Sequence, residues 1–217
     1  MKIDDYIDYD TRTYKWDTIE KVPEFAKLKE CKQNPKWHKE GTAWEHTKRV
    51  CDSVLELFPD LDDVELKLLM AAALFHDIGK GTTTFFKEKD QQWHAYGHEI
   101  EGEKITRQLL ADENDHGFAN AVCNLVRWHM TPLDIRKSNH KVQKIIELAR
   151  IINPVWFHNG YSSNFDLLIK LKQCDVAGSE QEDKESKASD LEWLNKLSIA
   201  VADLSLLFYF PASLLDL

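Results

Sequence analysis

His76 and Asp77 stand side by side at the end of the apolar run Leu66–Phe75, inside Leu74-Phe75-His76-Asp77-Ile78-Gly79-Lys80. An imidazole and a carboxylate at the exit of a buried helix are costly to desolvate unless something compensates them. A divalent cation is a simple compensation, because both groups are metal ligands and a carboxylate can bridge two ions. An adjacent His and Asp can equally be an ion pair or a helix cap. Four further residues favour the metal: His46, His98, His129 and Asp175 each fall on the apolar line of their own candidate helix.

Spacing carries that statement. His46 aligns with Ala43, Val50, Val54 and Leu57, and His98 with Gly102, Ile105 and Leu109. His129 aligns with Phe118, Val122 and Leu125, and Asp175 with Leu168 and Leu171. Any one of these histidines reads equally well as a satisfied core residue. Several polar ligands turned inward from separate helices are harder to explain that way.

The elements that must position these residues are helical. The spacing predicts helices at about 42–58, 64–76, 97–111, 117–130, 141–152, 163–177 and 189–208. Asp62-Asp63 and Asn114-Asp115 offer caps, and Gly79-Lys80-Gly81 and Asn159-Gly160 offer breaks. Residues 1–40 read as an irregular segment packed on the domain, with one short helix around Pro23–Lys32. Residues 41–178 form the main domain, 179–189 a charged loop, and 190–217 a terminal helix with an apolar tail. In that helix Leu194, Leu197, Val201, Leu204 and Phe208 make one apolar seam. The seam and the greasy Phe208-Tyr209-Phe210-Pro211 dock on this chain, on a second copy or on a protein partner.

With 217 residues, 43% hydrophobic and seven Trp, the chain can bury a substantial core. No apolar run is long enough to span a bilayer, and Met1-Lys2-Ile3-Asp4-Asp5 lacks a signal-peptide core, so a cytoplasmic location is expected. The four cysteines, Cys31, Cys51, Cys123 and Cys174, are scattered and read as reduced, buried thiols. A net charge of −9 argues against non-specific binding of long nucleic acid. It leaves room for a small phosphorylated substrate or an RNA end. His38 is expected to support the loop before the first long helix. His94 precedes its helix, and His116, His140 and His158 fall near loops and read as solvent-facing. Trp37, Trp44, Trp93 and Trp128 read either as core or as a wall on which a base stacks.

The His-Asp pair with an upstream His and a downstream Asp resembles the HD superfamily of metal-dependent phosphohydrolases. The segment Gln33-Asn34-Pro35-Lys36-Trp37-His38-Lys39-Glu40-Gly41, followed by Trp44-Glu45-His46-Thr47, is similar to the opening of the HD domain of bacterial CCA-adding tRNA nucleotidyltransferases. Ala73–Lys80, Gly97-His98-Glu99 and Leu125–Pro132 resemble its later blocks, in the same order. Gly81 stands where that family usually has Pro, Thr42-Ala43 replaces its usual Asp-Val, and no polymerase half accompanies the match. The departures bear on the substrate and leave the ligands intact.

The resemblance implies an all-α helical bundle of about seven helices. It implies His46, His76, Asp77 and Asp175 as ligands of a primary divalent ion, and His98 and His129 as ligands of a second. Mn, Fe, Ni, Co, Zn and Mg all suit such donors. Bound ions would activate water and neutralise phosphoryl oxygens, with Asp77 between them. Lys80 and Arg127 are the candidate phosphate clamps. The expected activity is hydrolysis of nucleotide or RNA-end phosphoesters, of the 2′,3′-cyclic phosphodiesterase or phosphatase type. A nucleotidase acting on free (deoxy)nucleotides and a metal-containing regulatory module are the alternatives.

Overall fold

The computed structural model describes residues 1–152 and 164–206. His158, the Asn159-Gly160 break and the apolar tail beyond 206 lie outside them. Four-residue helical turns α1 (Trp16–Ile19) and α2 (Pro23–Ala26) precede the long elements. These are α3 (Ala43–Leu57), α4 (Asp63–Phe75), the short α5 (Lys80–Thr83), α6 (His98–Leu109), α7 (His116–Trp128), α8 (Thr131–Arg136), α9 (Lys141–Ile152), α10 (Asn164–Gly178) and α11 (Lys184–Leu206). Among the described residues the protein is all-α apart from two small antiparallel hairpins. One pairs β1 (Ile7–Asp8) with β2 (Thr13–Tyr14), and the other pairs β3 (Phe85–Lys87) with β4 (Gln92–His94).

Helix starts follow local chemistry. Thr42 and Glu45 close a reciprocal capping box at α3. Asp62 accepts the Val64 and Glu65 amides at 2.9 Å to start α4, and Asp115 accepts the Phe118 amide to start α7. The core centres on α4 and α10. From Leu69 to Phe75 every residue of α4 is completely buried, as expected of a helix apolar on all sides. In α10, Phe165, Leu167, Leu168, Ile169, Leu171 and Cys174 are equally enclosed. Helix α10 packs against α3, α4, α7 and α11, so its residues reach the middle of the bundle. At Gly178 an added Cβ would stand 2.8 Å from the Val50 backbone nitrogen, which shows how closely α10 and α3 approach.

Four expectations change. The segment 1–40 holds a hairpin and helical turns, and Ile3, Ile7, Ile19, Phe25 and Leu28 sink into the core. The hairpin β3–β4 and helix α8 appear where the periodicity gave no element, because each is too short to show a repeat. The charged stretch 179–189 is a loop only as far as Asp183. There the Asp183 carboxylate accepts the Glu185 and Ser186 amides and starts α11, whose first turns are a solvated face. Finally, Gly79 does not break the chain by unusual backbone angles, since it continues directly into α5. Its need is space: a Cβ there would fall 2.1 Å from the His98 carbonyl oxygen and 2.6 Å from the Gly102 nitrogen. The turn that carries His76 and Asp77 therefore lies flat against the start of α6. Of the seam on α11, Leu194 and Leu197 are fully buried within this chain.

Candidate metal centre

Five elements deliver six side chains to one point. His46 comes from α3, His76 and Asp77 from the turn after α4, His98 from the first residue of α6, His129 from the end of α7 and Asp175 from α10. All six are buried, with no side chain more than about a tenth exposed. The four sequence-derived primary ligands and both secondary ones are thus brought together.

The tautomers follow from the partners. The Nδ1 atoms of His76, His98 and His129 lie 2.8, 2.8 and 2.7 Å from the carbonyl oxygens of Ala73, Ala95 and Val126. A carbonyl can only accept, so each Nδ1 carries a hydrogen, and in the neutral ring Nε2 presents a lone pair inward. The Nε2 atoms of His98 and His129 then face each other at 3.2 Å. Two lone pairs at that distance repel unless a cation or a proton sits between them. His76 Nε2 is buried with no hydrogen-bond partner among the described residues, and Asp77 Oδ2 accepts no aligned hydrogen bond. Buried polar atoms rarely stay unsatisfied without a reason.

Asp77 divides its carboxylate between two groups. Its Oδ2 lies 3.3 Å from His76 Nε2 and 3.7 Å from His46 Nε2. Its Oδ1 lies 3.3 Å from His98 Nε2 and 3.8 Å from His129 Nε2. Two donor sets result, His46-His76-Asp77 and Asp77-His98-His129, each with its ligand atoms within 4.8 Å of one another. Asp175 adds Oδ1 at 3.0 Å from His46 Nε2. The unpartnered His76 Nε2, the shared Asp77 carboxylate and the converging nitrogens fit a divalent ion.

Burial would raise the Asp77 carboxyl, but Lys80, His76 and His98 hold it well below the usual carboxylate range. Burial likewise opposes ionised Asp175, and Lys172 and His46 reverse that. His129 is driven far down by burial and by the neighbouring His98 and His76, so it stays a neutral donor. His46 differs: burial lowers it, yet hydrogen bonds to Asp175 and Glu40 win and raise it. Without an ion the gap between His46 Nε2 and Asp175 must hold a proton. A divalent cation satisfies the same demand for positive charge.

Glu40 is a residue that sequence reasoning passed over. Its Oε1 accepts from His46 Nδ1 and from His38 Nδ1, both at 2.8 Å, and its Oε2 accepts the Glu180 amide at 2.8 Å. Burial raises Glu40, but these two histidines outweigh it and depress the group strongly. His38, Glu40 and His46 also lie close enough to hold an ion. Because both histidines already spend Nδ1 on the carboxylate, the trio reads better as a support that fixes the His46 ring. Its signal in the sequence was the His38-x-Glu40 spacing six residues ahead of His46.

The cluster meets a cleft of about 610 Å³ through Asp77, His98 and Asp175, its floor, and Lys80, Lys172, Arg136, Lys137 and Trp37 also line it. Lys80 Nζ lies 2.7 Å from Asp77 Oδ2 and donates to Gln33 Oε1 at 2.6 Å. Arg127, the second expected clamp, is not brought there. It stacks on Trp128 and sits 4.0 and 3.9 Å from Glu99 and Glu103, because α7 turns it toward the acidic side of α6. Lys172 holds Asp175 Oδ2 at 2.6 Å and was missed, since a lysine inside an apolar helix gives no periodic signal. Of the tryptophans, Trp37 alone lines the cleft; Trp44 is buried against Trp16, and Trp93 packs on Phe86. His94 pairs with Asp90 on β4 away from the cluster, and His116 and His140 are exposed.

Two bacterial proteins share part of this chain. The "Multifunctional CCA protein" of Actinobacillus pleuropneumoniae serotype 5b (strain L20) is 38% identical over 87 residues, and that of serotype 7 (strain AP76) matches equally. The match covers 40% of this chain and about a fifth of the length of those relatives. The sequence model of the HD domain matches residues 43–153, from α3 to just beyond α9, so Asp175 reaches the cluster from outside the matched stretch. With half of its length matched and the His-Asp pair at the centre of its buried cluster, the chain belongs to the HD-domain family of metal-dependent phosphohydrolases.

Proposed function

We propose that this protein hydrolyses small phosphoesters, namely nucleotides or RNA ends carrying a 2′,3′-cyclic or terminal phosphate. The observation that carries the reading is the division of Asp77 between two histidine pairs on the floor of a cleft flanked by lysines. His46, His76, Asp77 and Asp175 would hold one divalent ion, and His98, His129 and Asp77 a second. Bound there, such ions supply positive charge for phosphoryl oxygens and lower the pKa of water.

The chain's own groups do the rest. The backbone carbonyls of Ala73, Ala95 and Val126 hold three imidazoles by Nδ1 and aim Nε2 inward. Lys80 pairs with Asp77 Oδ2 and borders the cleft, where it can also meet a phosphate. Trp37, 40% exposed at the mouth, offers a face on which a base can stack. A cleft with a handful of cations, in a chain of net charge −9, suits one or two phosphates and not a long polyanion. Likeness to the multifunctional CCA proteins supports an RNA-end or nucleotide substrate. We place the protein in the cytoplasm, with a partner or second copy meeting the C-terminal apolar segment.

A hydrolysis panel with Mn, Fe, Ni, Co, Zn or Mg tests the reading. It contains 2′,3′-cyclic nucleotides, the 2′-, 3′- and 5′-monophosphates and short RNAs bearing each end. Turnover of cyclic or terminal phosphates is expected. Preference for free 5′-nucleotides would favour the nucleotidase instead. Inactivity with every metal would leave a metal-containing binding module.

A further inference from the structure

We propose that Lys172 is a phosphate-binding residue, a counterpart of Lys80 bordering the same cleft; this rests on the phosphohydrolase reading above. Lys172 sits on α10, one turn before Asp175, and is only 5% exposed. An ammonium is expensive to enclose unless it is paired. Its partners among the described residues are Asp175 Oδ2 at 2.6 Å and the Met130 thioether at 3.5 Å. An ammonium carries three donors. One is well used and one weakly, and the group borders the cleft. By contrast Lys170, two residues earlier on α10, pairs with Asp166 one turn before it and does not border the cleft.

The two carboxylates of the centre are built alike. Asp77 turns both oxygens to imidazoles and also pairs Oδ2 with Lys80 at 2.7 Å. Asp175 turns Oδ1 to His46 and Oδ2 to Lys172. Each aspartate therefore pairs with a lysine that borders the cleft. Charge then decides what else belongs there. Asp77, Asp175 and Glu40 bring three buried negative charges, and Lys80 and Lys172 bring two positive ones. A single divalent ion already tips the total positive, and a second raises it further. A group that only had to hold Asp175 in place could be neutral at lower cost. A cation kept at that point makes sense if an anion completes the site, and a phosphoryl group between the two lysines does so.

Metal-loaded protein titrated with inorganic phosphate, and assayed with the best phosphoester of the panel, tests this. Lys172→Met, close in length and uncharged, is expected to keep its helical spectrum and metal content. It should weaken phosphate binding, and raise KM more than it lowers kcat, by about tenfold or more, the worth of a charged hydrogen bond. Lys172→Arg should recover much of the loss, and covers the case in which the Met variant folds poorly. Wild-type phosphate affinity in a metal-loaded Lys172→Met protein overturns the proposal. So does loss of metal with unchanged phosphate affinity in what remains loaded, which would make Lys172 a support for Asp175. No phosphate binding by the wild type overturns it too. Lys172-dependent phosphate binding without any hydrolysis would instead sink the phosphohydrolase reading and leave this one standing.

Discussion

Three imidazoles in or behind the floor of the cleft are held by backbone carbonyls three residues back, whereas Lys80, Lys172 and Arg136 on its walls are held by side chains. His76, His98 and His129 share that one device at the end of α4, the start of α6 and the end of α7. Lys80 leans on Gln33 and Asp77, Lys172 on Asp175 and Met130, and Arg136 on Asp190 and Ser189 of α11. Backbone atoms in packed helices move little, so the floor is fixed before anything binds. Side-chain pairs can exchange partners when an anion arrives. The contrast teaches that floor substitutions should act on metal content and kcat, and wall substitutions on KM.

The largest effect tests the centre of the floor. Asp77 is shared by both donor sets, so Asp77→Ala should remove about a thousandfold or more of kcat, roughly 4 kcal/mol of barrier. Metal content should fall with it, while the helical circular dichroism persists. Near-normal turnover in excess metal would dissolve the distinction between floor and wall.

His46 is the imidazole without a backbone anchor, since its Nδ1 meets Glu40. If a side-chain support can serve the floor as well as a carbonyl does, Glu40→Gln should matter less than expected. We expect it to lower metal affinity by about 10- to 100-fold, as loss of a carboxylate behind a ligating histidine generally does. Competition with a chromophoric chelator measures this directly.

A smaller, purely structural effect is expected at Gly79. A Cβ there meets the His98 carbonyl and the Gly102 nitrogen, both backbone atoms of α6 that cannot swing aside. Gly79→Ala should therefore cost about 1–3 kcal/mol in urea unfolding and shift His98 outward. An unchanged midpoint would show that α6 adjusts freely, against the idea of a fixed floor.

The same contrast explains what the sequence made legible. The candidate ligands lie on apolar faces, where a His or Asp interrupts a 3.6-residue repeat, so His46, His98, His129 and Asp175 stand out from spacing alone. Long amphipathic helices and their Asp62 and Asp115 caps were equally visible. Helix α8, the hairpin β3–β4 and the early start of α11 were not, since two to six residues show no period and a capping Asp in a charged run looks like any other acid. Lys172 escaped because burial, and not spacing, marks it out. Glu40 escaped because its partners come from three separate places: His38 in the same loop, His46 on α3 and the amide of Glu180 far along the chain.

Arg127 provides the smallest expected effect and the sharpest check on the walls. By spacing it stood two residues before His129 and looked like a phosphate clamp; in the fold it lies over Trp128 beside Glu99 and Glu103. Its side chain is 28% exposed, and ion pairs at 4.0 and 3.9 Å on such a surface contribute about 0–1 kcal/mol. Arg127→Gln should thus change kcat/KM by less than about twofold, equivalent to under roughly 0.4 kcal/mol, and leave metal content alone. A tenfold rise in KM would mean that substrate crosses the α6–α7 side of the cluster. Lys172 and Lys80 would then no longer define the walls, and the assignment of the cleft would have to move with it.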